Sequence, residues 1–488
     1  MLPKIKNFLL VNTSLGQTLV KNTFWLFVGE LTSRLLKMVL IIYAARILGV
    51  ANWGIFAYAI SIASLFFLFS DLGLDNLVTR EIAKNFKERL SYFATAFVFR
   101  LVLLPACGIL IFIFLTLFSK IPEVQEIIFI VAVFLALDLL RGFGLAFHRA
   151  FEQMEKEAFV KFSTNLSISV LGLLVLFTVP SLKNLAYAYL AGSSLGLLIT
   201  IYTLRKYLSD ILKSFSLTLV GQIWRITWPF FIAGVAAAFM TYTDMMMIGW
   251  WKTPMDLGLY SAAQRLIQFL FVAPSLIAVA TFPLLSKLAE ESPVKLKAIL
   301  GKTISLVLLL GLPIALGGIL LGREIMLIAF GEAYVGATLV FQIFLGGILA
   351  TFPLVILNNY IFIQNLQKKL VVWALGSALL NVFLNYLFIP RFGIAGAALA
   401  TTLSGFALAI VVWQIIGIIG WAELFSGLKK IILSSVAMVI ITLTGKYWSI
   451  NVFLNIGLSA LFFFMILALL KEPLVQEFRA VIQNKEPV

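Results

Sequence analysis

Glu30, Arg34 and Lys37 stand inside a mostly apolar run, Asn22 to Leu48, that is long enough to cross a bilayer. A charge in the hydrocarbon costs about 2.5 to 3.5 kcal/mol on insertion scales, so ionisable residues there face a bundle interior or a watery cavity. At helical spacing, Thr23, Glu30, Ser33, Arg34 and Lys37 fall within one arc of about 100°, while Trp25, Val28 and Leu35 lie outside it. One polar stripe on an apolar helix predicts the lining of a cavity. Glu30 and Arg34 are also spaced i,i+4 in the favourable order.

Later spans carry Asp71, Arg100, Asp138, Arg141, Asp244 and Arg265. At 1.5 Å of rise per residue, Arg34 lies about 21 Å and Asp71 about 25 Å from the outer ends of their helices, which predicts one network of Glu30, Arg34, Lys37 and Asp71. Arg100 and Asp138 reach comparable depths, and Arg141 follows Asp138 by one turn. Asp244 and Arg265 each sit about 10 Å from the outer surface, where pairing across their hairpin is natural. Any one such pair reads equally well as a structural ion pair. Together, however, Arg34, Lys37, Arg100 and Arg141 concentrate in the first four helices and outnumber Glu30, Asp71 and Asp138. A cation-rich, water-accessible cavity suits a phosphate or pyrophosphate, with arginine making bidentate contacts.

In the second half the candidate lining is neutral: Tyr242, Gln264, Gln268, Asn358 and Asn381, with Asn359 and Asn385 nearby. Such groups hydrogen-bond to sugars and stack on them. Packing between helices is the competing use for each of them. Gly192 and Gly196, spaced GxxxG, read as a packing face.

Other chemistry is poorly represented. The single cysteine, Cys107, reads as a packing residue, and the single histidine, His148, is expected on a solvated cytoplasmic loop, so no metal site can be assembled from them. Gly301-Lys302-Thr303 imitates the end of a P-loop, but Leu296 occupies the required first glycine position. No catalytic residues, metal or cofactor are expected, and H+ and Na+ both remain open as a coupling ion.

The elements that must position these residues are helices. The 488-residue chain is 62% hydrophobic and 12% charged, with apolar runs from end to end and no period-2 alternation, which predicts an all-α polytopic membrane protein of about 14 spans. A net charge of +15 does not point to nucleic acid, because Lys and Arg are spread over many short loops. They favour one side of the membrane heavily, leaving Arg46, Lys120, Lys183, Lys252, Arg323, Arg391 and Lys446 for the other, which places both termini in the cytoplasm.

The expected organisation is a cytoplasmic tail (1–21), a first six-helix lobe (22–207), an amphipathic cytoplasmic linker (208–225), a second six-helix lobe (226–418), a C-terminal helix pair (428–471) and a second tail (472–488). The linker reads as interfacial, with apolar Leu208, Ile211, Leu212 and Phe215 against Asp210 and Lys213. A weak repeat supports the two lobes. Gly54-Ile55-Phe56-Ala57-Tyr58-Ala59 is echoed by Gly258-Leu259-Tyr260-Ser261-Ala262-Ala263, as in transporters whose halves rock about a midplane site.

At Ala45-Arg46-Ile47-Leu48-Gly49, Asn52-Trp53-Gly54-Ile55-Phe56, Ser70-Asp71-Leu72-Gly73-Leu74 and Thr79-Arg80-Glu81-Ile82-Ala83, the sequence resembles the polysaccharide transporter family of oligosaccharide-lipid flippases. That family belongs to the multidrug/oligosaccharidyl-lipid/polysaccharide exporter superfamily. Asn381 to Gly405 resembles its eleventh-to-twelfth helix pattern. The resemblance implies a V-shaped pair of lobes and translocation of a polyprenyl-pyrophosphate-linked glycan to the outer leaflet of the cytoplasmic membrane. Partners would then be that glycan, membrane lipids, and a glycan polymerase or export machinery. Read this way, pyrophosphate meets Arg34, Lys37, Arg100 and Arg141, while glycan meets Tyr242, Gln264, Gln268, Asn358 and Asn381. Glu30, Asp71, Asp138, Asp244 and Arg265 serve in coupling or ion pairing. A cation-coupled multidrug exporter on the same scaffold and a non-transporting scaffold for glycan-assembly enzymes are the alternatives.

Overall fold

The computed structural model describes residues 15–75, 77–79, 89–118, 121–417, 421–473 and 476. Among the described residues there is no strand. The helices are α1 (Leu15–Leu48), α2 (Val50–Asp71), α3 (Arg89–Phe118), α4 (Pro122–Ala150), α5 (Met154–Thr178), α6 (Leu182–Leu204), α7 (Leu208–Lys213) and α8 (Leu217–Trp251). They continue as α9 (Pro254–Leu270), α10 (Val272–Glu291), α11 (Pro293–Leu320), α12 (Gly322–Phe330), α13 (Thr338–Ile363), α14 (Gln367–Ile416), α15 (Trp421–Tyr447) and α16 (Val452–Leu469). A bilayer offers the backbone no water, and helices satisfy their own N–H and C=O groups, which is why apolar runs of this length fold this way.

Among the described residues, 12 helical segments are long and apolar enough to cross a membrane. The expected count of about 14 differs for two reasons. Gln367–Ile416 holds two helices that meet at a kink at Gly393 (φ 60°, ψ −140°), a backbone conformation that favours glycine, so the two expected spans are both there but count as one segment. Helix α1 is not among the 12, because its apolar run holds Glu30, Arg34, Lys37 and Arg46.

The start signals are local. Ser181 and Ser292 cap α6 and α11 by accepting hydrogen bonds from Asn184 N (3.1 Å) and Lys295 N (3.4 Å), and Pro122 and Pro293 occupy first-turn positions. Helix α1 begins earlier than expected, so residues 15–21 belong to it and not to a tail. Its Lys21 is buried against Glu155, at 3.0 Å. Residues 1–14 of the expected tail, Arg80–Ala83 of the resemblance motifs and most of the 472–488 tail lie outside the described residues.

The chain forms two compact units, Met1–Ser261 and Ala262–Val488. In the first, α1 packs along α5, α4 and α5 pack on α6, and α2 lies against α3, α4 and α8. Helix α8, which the sequence groups with the later helices, thus packs with the earlier ones. Part of the linker also differs from an interfacial segment. Ile211, Leu219 and Ile223 are buried against Tyr92, Phe93, Phe143 and Phe147, whereas Phe215 stays exposed, so the linker's apolar residues are divided between protein contact and the surface. In the second unit, α13 packs on α11 and α14, and α15 pairs with α16 and α11.

The repeated glycines meet. A Cβ on Gly54 would lie 2.1 Å from the Pro254 carbonyl oxygen, and one on Gly258 would lie 2.0 Å from that of Val50. Each glycine therefore accommodates the backbone one turn before the other, a reciprocal contact between the openings of α2 and α9. The Gly192/Gly196 face also packs as expected: Cβ atoms there would come within 2.4 Å of Ile168 and 2.3 Å of Thr164.

Candidate functional site

The charges of the first unit separate into two clusters. The first joins α1, α4 and α5. Arg34 Nε donates to Glu30 Oε1 at 2.7 Å, one helical turn away. The other Glu30 oxygen lies 3.6 Å from Lys161 Nζ on α5. Lys161 contacts Glu157 Oε1 at 3.0 Å, and Glu157 Oε2 lies 3.2 Å from Arg149 Nε at the end of α4. The result is an alternating ladder, Arg34, Glu30, Lys161, Glu157, Arg149, carried by three helices.

Glu157 is only 1% exposed, whereas Glu30 and Arg34 at one end are 38% and 32% exposed and Arg149 at the other is 33% exposed, so the ladder is buried at Glu157 and open at both ends. Lys37 lies within electrostatic reach of both Glu30 and Asp138. Asp138 Oδ1 accepts from Arg141 Nε and Nη2 at 2.9 and 2.6 Å. Gly196 of α6 makes room for Arg141, since a Cβ there would sit 3.0 Å from its Cδ. Five cations (Arg34, Lys37, Arg141, Arg149, Lys161) face three carboxylates (Glu30, Asp138, Glu157), leaving the group net positive.

The second cluster has the opposite sign. Arg100, fully buried on α3, donates to Asp71, to Asp75 Oδ1 at 2.8 Å and to the Leu139 carbonyl at 3.1 Å, and its guanidinium lies 4.9 Å from the Phe143 ring centre. One cation therefore serves two carboxylates. The chain bends between them, with Leu72 (φ 45°) and Gly73 (φ 74°) both left-handed, so α2 ends at Asp71 and Asp75 follows on a new turn.

Two expectations change here. Asp71 pairs with Arg100 and does not join the Glu30 network. Arg100, enclosed and bonded to two acids, is a clamp in this structure and not an open anion ligand. A lone guanidinium carried by an apolar helix is costly, and an acid pair on the neighbouring helix offsets it.

His148 also departs from expectation. It lies at the end of α4, fully buried, with Nδ1 3.1 Å from Gln153 Oε1 and Nε2 2.9 Å from Thr203 Oγ1, and is not a loop residue. Asp244 is buried too and accepts a hydrogen bond from Tyr260. Cys107 is buried in α3, as a packing residue should be.

In the second unit, Arg265 of α9 aside, the buried polar groups of the helices are neutral. Asn381 Nδ2 donates to Thr401 Oγ1 at 3.1 Å and Asn385 Nδ2 to Asn381 Oδ1 at 3.1 Å, both within α14 and both fully buried. The Asn381–Thr401 bond fastens the two arms of the kinked helix, the Asn385–Asn381 bond lies within the first arm, and both amides are closed to a glycan, which corrects the assignment of Asn381. Asn359 is spent on the Ala278 carbonyl at 2.9 Å. Of the other expected sugar ligands, Asn358 is exposed, and Tyr242, Gln264 and Gln268 are half-buried, with Gln268 accepting from Arg265 at 2.9 Å. An apolar cavity of about 380 Å³ lies among α9, α11, α15 and α16, lined by Phe269, Leu309, Pro313, Ile456, Ala460 and Phe463 among others. The Thr442 and Ser459 hydroxyls in its wall bond to each other at 2.8 Å, so it presents hydrocarbon.

Sequence reasoning missed four members of the site. Asp75 is one turn beyond Asp71, a spacing that was legible. Arg149, Glu157 and Lys161 lie around the polar turn between α4 and α5, where the i,i+4 Glu-to-Lys order of Glu157 and Lys161 was the available signal.

Fold and site together define a multi-pass helical membrane protein with an ionic interior in its first unit. A family described as polysaccharide biosynthesis protein matches residues 19–289, and the MatE family matches residues 229–387. The chain belongs to the polysaccharide biosynthesis protein family and, with it, to the multidrug/oligosaccharidyl-lipid/polysaccharide exporter superfamily.

Among its relatives are a probable low-salt glycan biosynthesis flippase, Agl15, of Haloferax volcanii, 23% identical over 79% of this chain and 81% of the relative. Another is a putative O-antigen transporter of Shigella flexneri, 25% identical over 78% of this chain and 94% of the relative. The fold resembles that of the lipid II flippase MurJ in an inward closed conformation, with a TM-score of 0.73 at 16% identity, covering 92% of this chain and 99% of that one.

Proposed function

We propose that the protein is a flippase moving a polyprenyl-pyrophosphate-linked oligosaccharide from the inner to the outer leaflet of the cytoplasmic membrane by alternating access, for cell-surface polysaccharide synthesis, with both termini in the cytoplasm. The observation that carries this reading is the net-positive group on α1, α4 and α5 in a multi-pass chain whose family is that of polysaccharide biosynthesis. Charge is retained inside such a chain at a cost, and the usual reason is a substrate or ion of opposite sign.

In this reading Arg34, Lys37 and Arg141 meet the pyrophosphate. Tyr242, Gln264, Gln268 and Asn358 are the glycan contacts, and a prenyl chain is accommodated by lipid and by apolar surfaces such as the α15–α16 cavity. The chain acts as a carrier and not as an enzyme. Asp71, which shares Arg100 with Asp75, is the first carboxylate to examine for coupling to H+ or Na+, with Glu30 and Asp244 as comparators. A multidrug exporter of organic cations on this scaffold is disfavoured, because such a site calls for acids and aromatics while this one is cationic.

The test is reconstitution into vesicles with a defined polyprenyl-pyrophosphate oligosaccharide, scoring its passage between leaflets with and without a proton or sodium gradient. The reading expects protein-dependent flipping. Vesicles no faster than protein-free controls under any gradient would refute it.

A further inference from the structure

The Glu30 carboxylate lies between two cations of separate helices. It has one oxygen on Arg34 Nε of α1, at 2.7 Å, and the other facing Lys161 Nζ of α5, at 3.6 Å, with Lys37 in electrostatic reach. It is also 38% exposed, so it can leave. Lys161 also has a second partner. Glu157, 1% exposed and 3.2 Å from Arg149 on its other side, lies 3.0 Å from the Lys161 ammonium. Two cations on separate helices are thus bridged by a carboxylate that is half open to solvent, and one of those cations is anchored from behind by an acid that is not.

We infer that Glu30 is a resident stand-in for the substrate's anion: a diphosphate displaces it from Arg34 and Lys161, and Lys161 is a substrate-binding residue. This deepens the anion-carrier reading above and rests on it. The geometry fits a diphosphate because two phosphoryl groups can each meet one cation, as the two carboxylate oxygens now do, while carrying more charge to a net-positive group. A resident competitor also keeps the empty site from exposing bare cations to the membrane interior, and it lets a bound diphosphate leave by giving the cations an alternative partner.

The consequence is counterintuitive. Removing an ion pair normally loosens a site, yet Glu30→Gln should tighten anion binding, because it removes both the competitor and its repulsion of the ligand.

The experiment is calorimetric titration of the purified full chain with farnesyl pyrophosphate and, in parallel, with inorganic pyrophosphate, the second probe separating the diphosphate from its lipid. Glu30→Gln should bind both probes about tenfold more tightly than the parent and Lys161→Gln about tenfold more weakly, at ionic strength where half-exposed pairs still count. Glu30→Asp, whose shorter arm cannot bridge both cations, should fall between parent and Glu30→Gln, and it provides the measurement should Glu30→Gln fail to elute as a folded monodisperse species.

Glu30→Gln binding no tighter than the parent, Lys161→Gln binding as well as the parent, or a shift with farnesyl pyrophosphate but none with inorganic pyrophosphate would each overturn the inference. Arg34→Gln separates the two levels. If the parent binds neither probe, or Arg34→Gln binds as well as the parent, the anion-carrier reading itself falls. If Arg34→Gln loses binding while Glu30→Gln and Lys161→Gln do not shift, only the stand-in role falls.

Discussion

The two units handle buried polarity in opposite ways. Among the described residues, the buried charged side chains Lys21, Arg100, Arg141, Glu157 and Asp244 all belong to Met1–Ser261, while Ala262–Val488 has Glu472, just past its last helix. The second unit hydrogen-bonds neutral groups to one another: Asn381 to Thr401, Asn385 to Asn381, Ser377 to the Ser404 carbonyl and Thr442 to Ser459. Neutral pairs suffice to hold helices together in a membrane, so the costlier ionic groups of the first unit call for another explanation. They divide into a net-negative clamp whose arginine is fully buried and a net-positive group whose Arg34 is 32% exposed, the open cluster.

That contrast can be broken in order of expected effect. Arg100→Gln leaves Asp71 and Asp75 facing each other without their shared cation; breaking a buried pair costs about 3 to 5 kcal/mol, and the low end is expected here because the two acids are 34% and 28% exposed. Thermal unfolding in detergent should show the loss, and adding Asp71→Asn and Asp75→Asn should recover part of it. An unchanged melting temperature for Arg100→Gln would mean that the enclosed arginine is not a clamp.

Gly196→Ala comes next. Its Cβ would intrude to 2.3 Å of Thr164 Oγ1 beside Arg141, and overpacking of this kind costs about 1 to 3 kcal/mol. A melt equal to the parent's would remove steric fit as the reason Arg141 is held where it is. The smallest effect belongs to the second unit: Asn381→Leu forfeits neutral interhelical hydrogen bonds worth about 0.6 kcal/mol on average in membranes. A loss as large as that of Arg100→Gln would erase the distinction between the two units.

Much of this was legible in the chain. The charged stripe of α1, the Glu30–Arg34 and Asp138–Arg141 pairs and the Gly192/Gly196 face follow from helical spacing, because residues three and four apart must be neighbours. The repeat at Gly54 and Gly258 anticipated two glycines that meet in space. Choice of partner between helices was not legible. Depth alone put Asp71 level with Arg34, but rotation of α2 and its break at Leu72 turn Asp71 toward Arg100. Burial was equally hidden: His148 and Glu157 are polar residues near helix ends, which resemble loop residues until neighbouring helices close over them. Asn381 showed the converse, an amide typical of a sugar site that is consumed by its own kinked helix.

The central claim is that the open cluster of the first unit binds the substrate's anion. Its most direct test is glycan export in cells lacking the native protein, complemented with normally expressed Arg34→Gln and Lys37→Gln. Both pairs of groups are half-exposed or exposed, so stability should change by less than about 1 kcal/mol. Export should nevertheless fall at least about tenfold for each, since each removes a charge that meets the anion during transport. Full export by both variants would contradict the claim.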